Sequence, residues 1–80
     1  MKRVLVLVKW EDTFADVGWG TEELSPVKVN SVGWLVHKDK NKIVISSMVG
    51  TAGLDDYNCR QAIPRGCITS ITELEIKEKE

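Results

Sequence analysis

Residues 27–49, VKVNSVGWLVHKDKNKIVISSMV, hold two runs rich in valine and isoleucine on either side of a polar stretch. In residues 27–37 the apolar positions alternate with polar ones, and residues 42–49 form a second run of similar composition. Alternation with a period of two is typical of a half-buried strand. The polar stretch between them, KDKN, contains the residue types that hairpin turns prefer. This part of the chain therefore predicts a β-hairpin.

The first run of this hairpin changes its parity part-way along. Val27 and Val29 share one face. From Val32 onward the apolar positions alternate again on that face, but they are shifted by one residue. A strand that changes parity usually contains a bulge, which bends it and suits a small barrel. We therefore expect a bulge near residues 30–31. Because Trp34 alternates with the valines on either side of it, we predict that its indole packs in the core.

Three further segments also favour strands. Residues 3–10, RVLVLVKW, are apolar at both parities, which is typical of a strand covered on both faces. Residues 59–63 and 67–72 are short strand candidates on either side of a tight Pro-Arg-Gly turn. In the long polar connection at residues 11–26, one helical turn within residues 11–23 is possible, because Asp12 or Thr13 could cap it. The sequence therefore predicts five strands and no substantial helix.

Five strands, a long first loop, a bent second strand and a tight turn before the last strand are typical of one architecture. We predict a single all-β domain over residues 1–80, a small SH3-like or Sm-like five-stranded barrel. Residues 73–80 would be a charged, frayed extension of this domain. The alternative is an OB-fold, which normally has a helix between its third and fourth strands. Residues 50–58 contain two glycines and are a poor helix.

Composition excludes several classes of protein. Eighty residues suffice for one domain, and the net charge of −1 gives little attraction to extended nucleic acid. The longest apolar run, residues 4–8, is far below the ~20 residues that span a bilayer. Charged residues follow it at once, at Lys9, Glu11 and Asp12, where a signal peptide would need small neutral ones. We therefore expect a cytoplasmic protein without a membrane partner, in which reduced thiols at Cys59 and Cys67 are favoured over a disulfide.

No arrangement of residues in this sequence is typical of catalysis. His37 is the single histidine and has no orienting acid that the sequence identifies. Cys67 opens an alternating strand, where core packing is the commoner role of a cysteine. The glycine pairs lack the strand, helix and lysine of a phosphate-binding loop, and the acids of residues 11–23 match no calcium loop. We expect no enzymatic activity, no metal and no cofactor.

Three tryptophans and an uneven charge distribution point instead to binding. Trp10 ends the first strand, at the mouth of the predicted barrel, and Trp19 lies between two glycines in the long loop. Residues 11–23 hold five acids and no base, whereas residues 24–72 have a net charge of +3. Arg65 lies in a rigid turn, which presents a guanidinium at low entropic cost. The sequence therefore favours a small anionic ligand.

Three segments together resemble a known family. They are VKWEDT at residues 8–13, SVGWLV at residues 31–36 and AIPRGCI at residues 62–68. The combination is similar to the pattern W-x-D, S-V-G-W-L and I-P-x-G-x-I of small phage- and prophage-encoded proteins, a family that brings no assigned activity. The resemblance implies the same small barrel, a bacteriophage genome and action in the host cytoplasm.

By analogy with compact phage proteins that sequester nucleotide second messengers of bacterial immunity, we expect an anti-defence sponge. Such a protein is a homo-oligomer with pockets between its subunits. Its indoles would stack on the base, its guanidiniums would bind phosphate, and its carboxylates would accept hydrogen bonds from base or ribose. Six residues would form the site: Trp10, Asp12, Asp16, Trp19, Arg60 and Arg65.

Other functions remain open on the sequence alone. An SH3-like protein–protein interaction module would use Trp19 and the acidic loop to bind a host or phage protein. A third hypothesis is an Sm-like RNA-binding ring. A fourth is a metal-dependent hydrolase.

Overall fold

The computed structural model describes residues 3–12, 20, 25–53 and 56–77. They form one antiparallel sheet. Its strands, with the 3-10 turn that precedes the last of them, are β1 (Leu5–Asp12), β2 (Val27–Lys38), β3 (Lys42–Val49), β4 (Tyr57–Pro64), the turn Arg65–Cys67 and β5 (Ile68–Leu74). The strand order is β4-β3-β2-β1-β5. The prediction of an all-β chain with five strands is confirmed for this part of the molecule.

The sheet is open where the sequence predicts a closed barrel. β4 and β5 stand at the two ends of the strand order, and no pairing joins them within the described residues. A turn of only three residues connects these strands, and it lies against β1. The short turn takes the chain from one edge strand, β4, to the other edge strand, β5. The two strands nevertheless form no ladder of hydrogen bonds with each other in the described residues.

The core lies on one face of this sheet. Val6 and Val8 of the central strand β1 are fully buried. They form a cluster with three isoleucines of β3 and β4, and five half-buried side chains pack around them: Ile43, Ile45 and Ile63, then Val4, Trp10, Leu35, Ile68 and Ile71. Because side chains alternate along a strand, the other apolar residues of β1 point away from this cluster.

Trp34 lies on the opposite face, so its predicted place in the core is wrong. The register pairs Val6 with Gly33 and Leu5 with Trp34. Gly33 is therefore the residue of β2 that faces the core, and its neighbour must face away. Trp34 is half-buried and does not belong to the core cluster.

The bulge in β2 also lies elsewhere than predicted. β1 and β2 pair without interruption from Leu5 and Trp34 to Asp12 and Val27, so residues 30–31 are regular. The register against β3 shifts instead between Leu35 and His37. The parity change in the sequence has another cause, which is that β2 has apolar residues on both of its faces.

The last strand runs two residues beyond its predicted end at residue 72. β5 continues to Leu74, an extension that the apolar residues Leu74 and Ile76 allow. Residues 75–77 follow without regular structure, and residues 78–80 lie outside the described part of the chain. Pairing of Leu74 with Leu5 of β1 accounts for the additional length of the strand.

We expect the Gly33→Ala variant to lose about 1–3 kcal/mol of unfolding free energy, because it overpacks a close contact. A Cβ atom on Gly33 would lie 3.0 Å from both Ile45 Cβ and the Ser46 carbonyl oxygen. Gly66→Ala is the matched control, since a Cβ there has no atom within 4 Å. Urea denaturation measures both variants. Equal stability of the two would contradict the close packing of β2 on β3.

Candidate ligand-binding site

A groove of about 200 Å³ lies where β1 ends and β2 begins. Its lining residues come from three neighbouring strands: Lys9, Trp10, Glu11, Lys28, Val29, Asn30 and Thr69. The antiparallel register places Trp10 beside Val29 and Glu11 beside Lys28. Residues that are almost twenty positions apart in the sequence therefore form one site.

Trp10 is one of the residues that line this groove. Its ring packs against the core cluster, and its Nε1 donates a hydrogen bond to Ser31 Oγ at 3.0 Å. An indole that packs on one side and whose N–H is already satisfied is held in one orientation. The predicted binding residue Trp10 therefore lies in a groove, with its polar atom occupied by the protein.

The groove also has an excess of positive charge. Lys9 and Lys28 are exposed, and Glu11 is the only acid among the lining residues that the structure describes. Thr69 Oγ1 donates to the Lys9 carbonyl at 3.0 Å, at the place where the register of β5 against β1 shifts. This bond fixes the backbone of Lys9. By the register of β1 and β2, the Lys9 and Lys28 side chains share the face of the sheet opposite the Trp10 side chain, and two ammonium groups on one face can bind an anionic group.

Neither of these lysines is among the site residues that the sequence predicts. Lys9 interrupts the apolar run of β1, and this interruption is the one local signal that it serves something other than packing. Lys28 has no such signal, because it stands in an ordinary alternating strand. Only the pairing of β1 with β2 brings the two side chains to one groove.

Two other predicted site residues, Asp12 and Arg60, do not line this groove. Asp12 is exposed at the last position of β1, next to the groove but not in its lining. Arg60 is exposed on the edge strand β4, opposite Ser46 of β3. Asp16 and Trp19 fall outside the described residues. The ligand-binding roles of these four residues stay predictions.

Arg65 connects two turns of the fold. Its backbone N–H donates to the Asn41 carbonyl and its Nε donates to the Asp39 carbonyl, both at 2.9 Å. The half-buried side chain thus ties the 3-10 turn to the turn between β2 and β3. These bonds give Arg65 a structural role, and its predicted role toward a ligand stays a prediction.

Asp39 organises the turn between β2 and β3. Its Oδ1 accepts hydrogen bonds from the backbone N–H groups of Asn41 and Lys42 at 2.7 and 2.8 Å, and its Oδ2 accepts from His37 Nε2 at 2.7 Å. The bond from His37 is the largest cause of a pKa of Asp39 well below its ordinary value, followed by the two backbone bonds. The turn is therefore built around an ionised carboxylate.

The low pKa of Asp39 makes one contribution to stability depend on pH. Because the folded-state pKa lies below the unfolded value of about 3.9, this contribution is present above that value and is lost as pH falls through the folded-state pKa. We expect wild type to melt above Asp39→Asn at pH 7, with the gap closing as pH is lowered toward 2. Melting curves of both proteins across this range test it. A gap that stays constant with pH would contradict the ionised turn.

A second groove, of about 330 Å³, lies at the start of β1. It is lined by Arg3, two carboxylates and apolar side chains: Val4, Leu5, Glu73, Leu74, Glu75 and Ile76. The Arg3 guanidinium donates to the Gly50 and Gly53 carbonyls at 2.7 and 2.5 Å and lies 5.6 Å from the centre of the Tyr57 ring. Arg3 is thus engaged by the loop between β3 and β4. Its two glutamates make this groove the poorer site for an anion.

The described residues offer few other centres of chemistry. Cys59 and Cys67 are free thiols, the first exposed and the second half-buried. In residues 3–12, 20, 25–53 and 56–77, no group of three or more His, Cys, Asp or Glu side chains could hold a metal ion. This part of the chain also has no helix long and apolar enough to cross a membrane.

Comparison with known proteins adds no relative. No family model, curated protein or solved structure matches the chain. Among the described residues, the groove between β1 and β2 is therefore the feature that best indicates a function.

Proposed function

We propose that this protein is a non-enzymatic binding protein that holds a small anionic ligand in the groove between β1 and β2. The observation that supports this proposal is that Lys9 and Lys28 lie on one face of the sheet and line a single groove, which Trp10 also lines. Ammonium groups form charge-assisted hydrogen bonds to phosphate. A nucleotide carries phosphate groups, so it is a ligand class that fits these two lysines.

Within this class we propose a nucleotide second messenger of bacterial immunity, sequestered by a phage-encoded protein in the host cytoplasm. The groove volume of about 200 Å³ lies below the ~300–1,000 Å³ of pockets that enclose a drug-sized ligand. One chain would therefore hold one base with its phosphate, and the rest of a cyclic oligonucleotide would contact another chain. A homo-oligomer is accordingly part of the proposal.

The arrangement of strands supports an SH3-like form of the fold as part of this proposal. The order β4-β3-β2-β1-β5, the long connection between β1 and β2 and the 3-10 turn before β5 are all features of SH3-like domains. The open sheet of the described residues would then be a strongly curled relative of the closed barrel. The Sm-like form of the prediction has no separate observation in its favour.

A thermal-shift panel tests the proposed function. We expect one or more cyclic dinucleotides, cyclic oligonucleotides or cyclic ADP-ribose isomers to raise the melting temperature, because a ligand that binds only the folded state stabilises it. Inorganic phosphate and the free nucleosides are the controls, and each should have a much smaller effect. No shift with any nucleotide at millimolar concentration would contradict the proposal.

A protein-interaction module is the second candidate function. It is favoured by the two edge strands, β4 and β5, whose outer edges pair with nothing in the described part of the chain and could take a strand from another protein. This candidate would be favoured if no nucleotide raises the melting temperature and one host or phage protein is recovered with this protein in a stoichiometric amount. Binding of RNA with a steep salt dependence would instead favour the Sm-like ring.

A further inference from the structure

The sheet has a second apolar face, opposite the core. Because Val6 and Val8 point into the core, Leu5 and Leu7 point away from it. The register aligns them with neighbours on β5 and β2 in two rows across the sheet. We call these two rows the outer face: Leu74, Leu5 and Trp34, then Thr72, Leu7 and Val32.

Nothing in residues 3–12, 25–53 or 56–77 forms a layer over the outer face. None of its residues belongs to the core cluster or packs against it. Val32 is 54% exposed. Ile76, which lies just beyond Leu74 at the end of β5, is 51% exposed. Apolar sheet faces are normally covered by another layer, and a contiguous exposed patch marks a binding surface. The apolar residues at both parities of β1 also predict that both of its faces are covered.

The charges around the outer face indicate what covers it. Both rows are themselves uncharged. Lys9 lies one row beyond Leu7 on β1, and at the other end of the face three charged residues line the groove that Leu5 and Leu74 share: Arg3, Glu73 and Glu75. An uncharged face suits a partner with an equally uncharged face, because no ammonium or carboxylate is then buried without a counter-charge. It does not suit nucleic acid or an anionic membrane surface, which need cationic residues at the contact.

We propose that the outer face is a homodimer interface, in which two copies of this chain pack their sheets against each other. A second copy supplies the same uncharged face, as a two-fold interface requires. The two sheets would form a sandwich, with the outer faces about 10 Å apart. β1 would then be covered on both faces, by the core of its own chain and by the partner.

The area of the outer face sets the strength of this dimer. Three strands at ~4.8 Å spacing and two rows at ~7 Å spacing cover roughly 200 Å² in projection, to which Ile76 adds at the margin. Allowing for side-chain relief and a polar rim, such a contact would bury at most about 1,000 Å² over both copies, the lower limit for specific interfaces. We therefore expect a dissociation constant on the order of 10–100 µM.

This inference does not require the proposed ligand. The groove begins at the row of Lys9, next to the outer face but outside it. Dimerisation in the absence of nucleotide would support the interface even if no nucleotide raises the melting temperature. Nucleotide binding by a strictly monomeric protein would support the groove and overturn the interface.

Sedimentation velocity over about 5–500 µM protein tests the interface, since this range spans the expected dissociation constant. We expect Val32→Lys to raise the dissociation constant at least tenfold. Val27→Lys is the matched control, because Val27 lies on the same strand with 48% exposure and outside the outer face. It should dimerise like wild type.

Two results would overturn the proposal. One is a wild-type protein that stays monomeric at the highest concentration. The other is a dimer that Val32→Lys weakens no more than Val27→Lys does. Circular dichroism melting at low concentration checks that each variant folds, and Ile76→Lys, also at a half-exposed position, replaces Val32→Lys if that variant is unfolded.

Discussion

We expect the Ile63→Ala variant to lose about 2–5 kcal/mol of unfolding free energy, the range found for truncating a fully buried isoleucine. Ile63 pairs with Ile43 across β4 and β3, and neither side chain has any exposed surface. The fully buried apolar core of the described residues has only five members. With so few side chains around it, a cavity at Ile63 removes a large share of the packing that joins the edge strand β4 to the sheet.

Thermal and urea denaturation measure this loss. For a domain of this size the expected change corresponds to a melting temperature lower by roughly 10–30 °C. Ile76→Ala is the matched control, since it removes the same atoms from a side chain that is 51% exposed, and it should shift the midpoint little in dilute protein. Similar losses in the two variants would contradict the placement of the core on this face of the sheet.

The second large effect is expected at the groove. The double variant Lys9→Gln with Lys28→Gln should bind a nucleotide ligand about 5–30-fold more weakly than wild type. Both ammonium groups are exposed, so each contributes on the order of 0.5–1 kcal/mol to binding the phosphate. Isothermal titration calorimetry of the nucleotide that gives the largest thermal shift measures the change.

The control for this prediction keeps the net charge equal. Lys38→Gln with Lys40→Gln removes two exposed lysines from the end of β2 and the turn that follows, away from the groove. We expect this variant to bind almost as well as wild type. If both double variants lose affinity equally, then the attraction is a general effect of charge, and the groove is not the site.

Much of the strand arrangement could be predicted because it depends on local sequence. β3 has the predicted bounds, since residues 42–49 lie between a polar turn and a glycine. The other four strands differ from their predicted bounds by one to two residues at most ends, and the turn at residues 64–66 is a 3-10 turn one residue further on. Periodicity and turn residues suffice for this level of description.

The site and the faces could not be predicted in the same way, because they depend on pairing between distant segments. The sequence of β2 is apolar on both faces, so it does not show whether Gly33 or Trp34 faces the core. The pairing with β1 decides it. Likewise, Lys9 and Lys28 come together only through the register, and the bonds of Arg65 to the turn between β2 and β3 join segments more than twenty residues apart.

The most direct test of the proposed binding groove is a two-dimensional ¹H–¹⁵N NMR titration with the nucleotide that gives the largest thermal shift. Binding in the groove predicts that the indole N–H of Trp10 and the backbone amides of Lys28 and Asn30 show the largest chemical-shift changes. The amides around Arg60 on β4 should move little. Changes concentrated on β4, or no saturable change at any residue, would contradict the groove as the binding site.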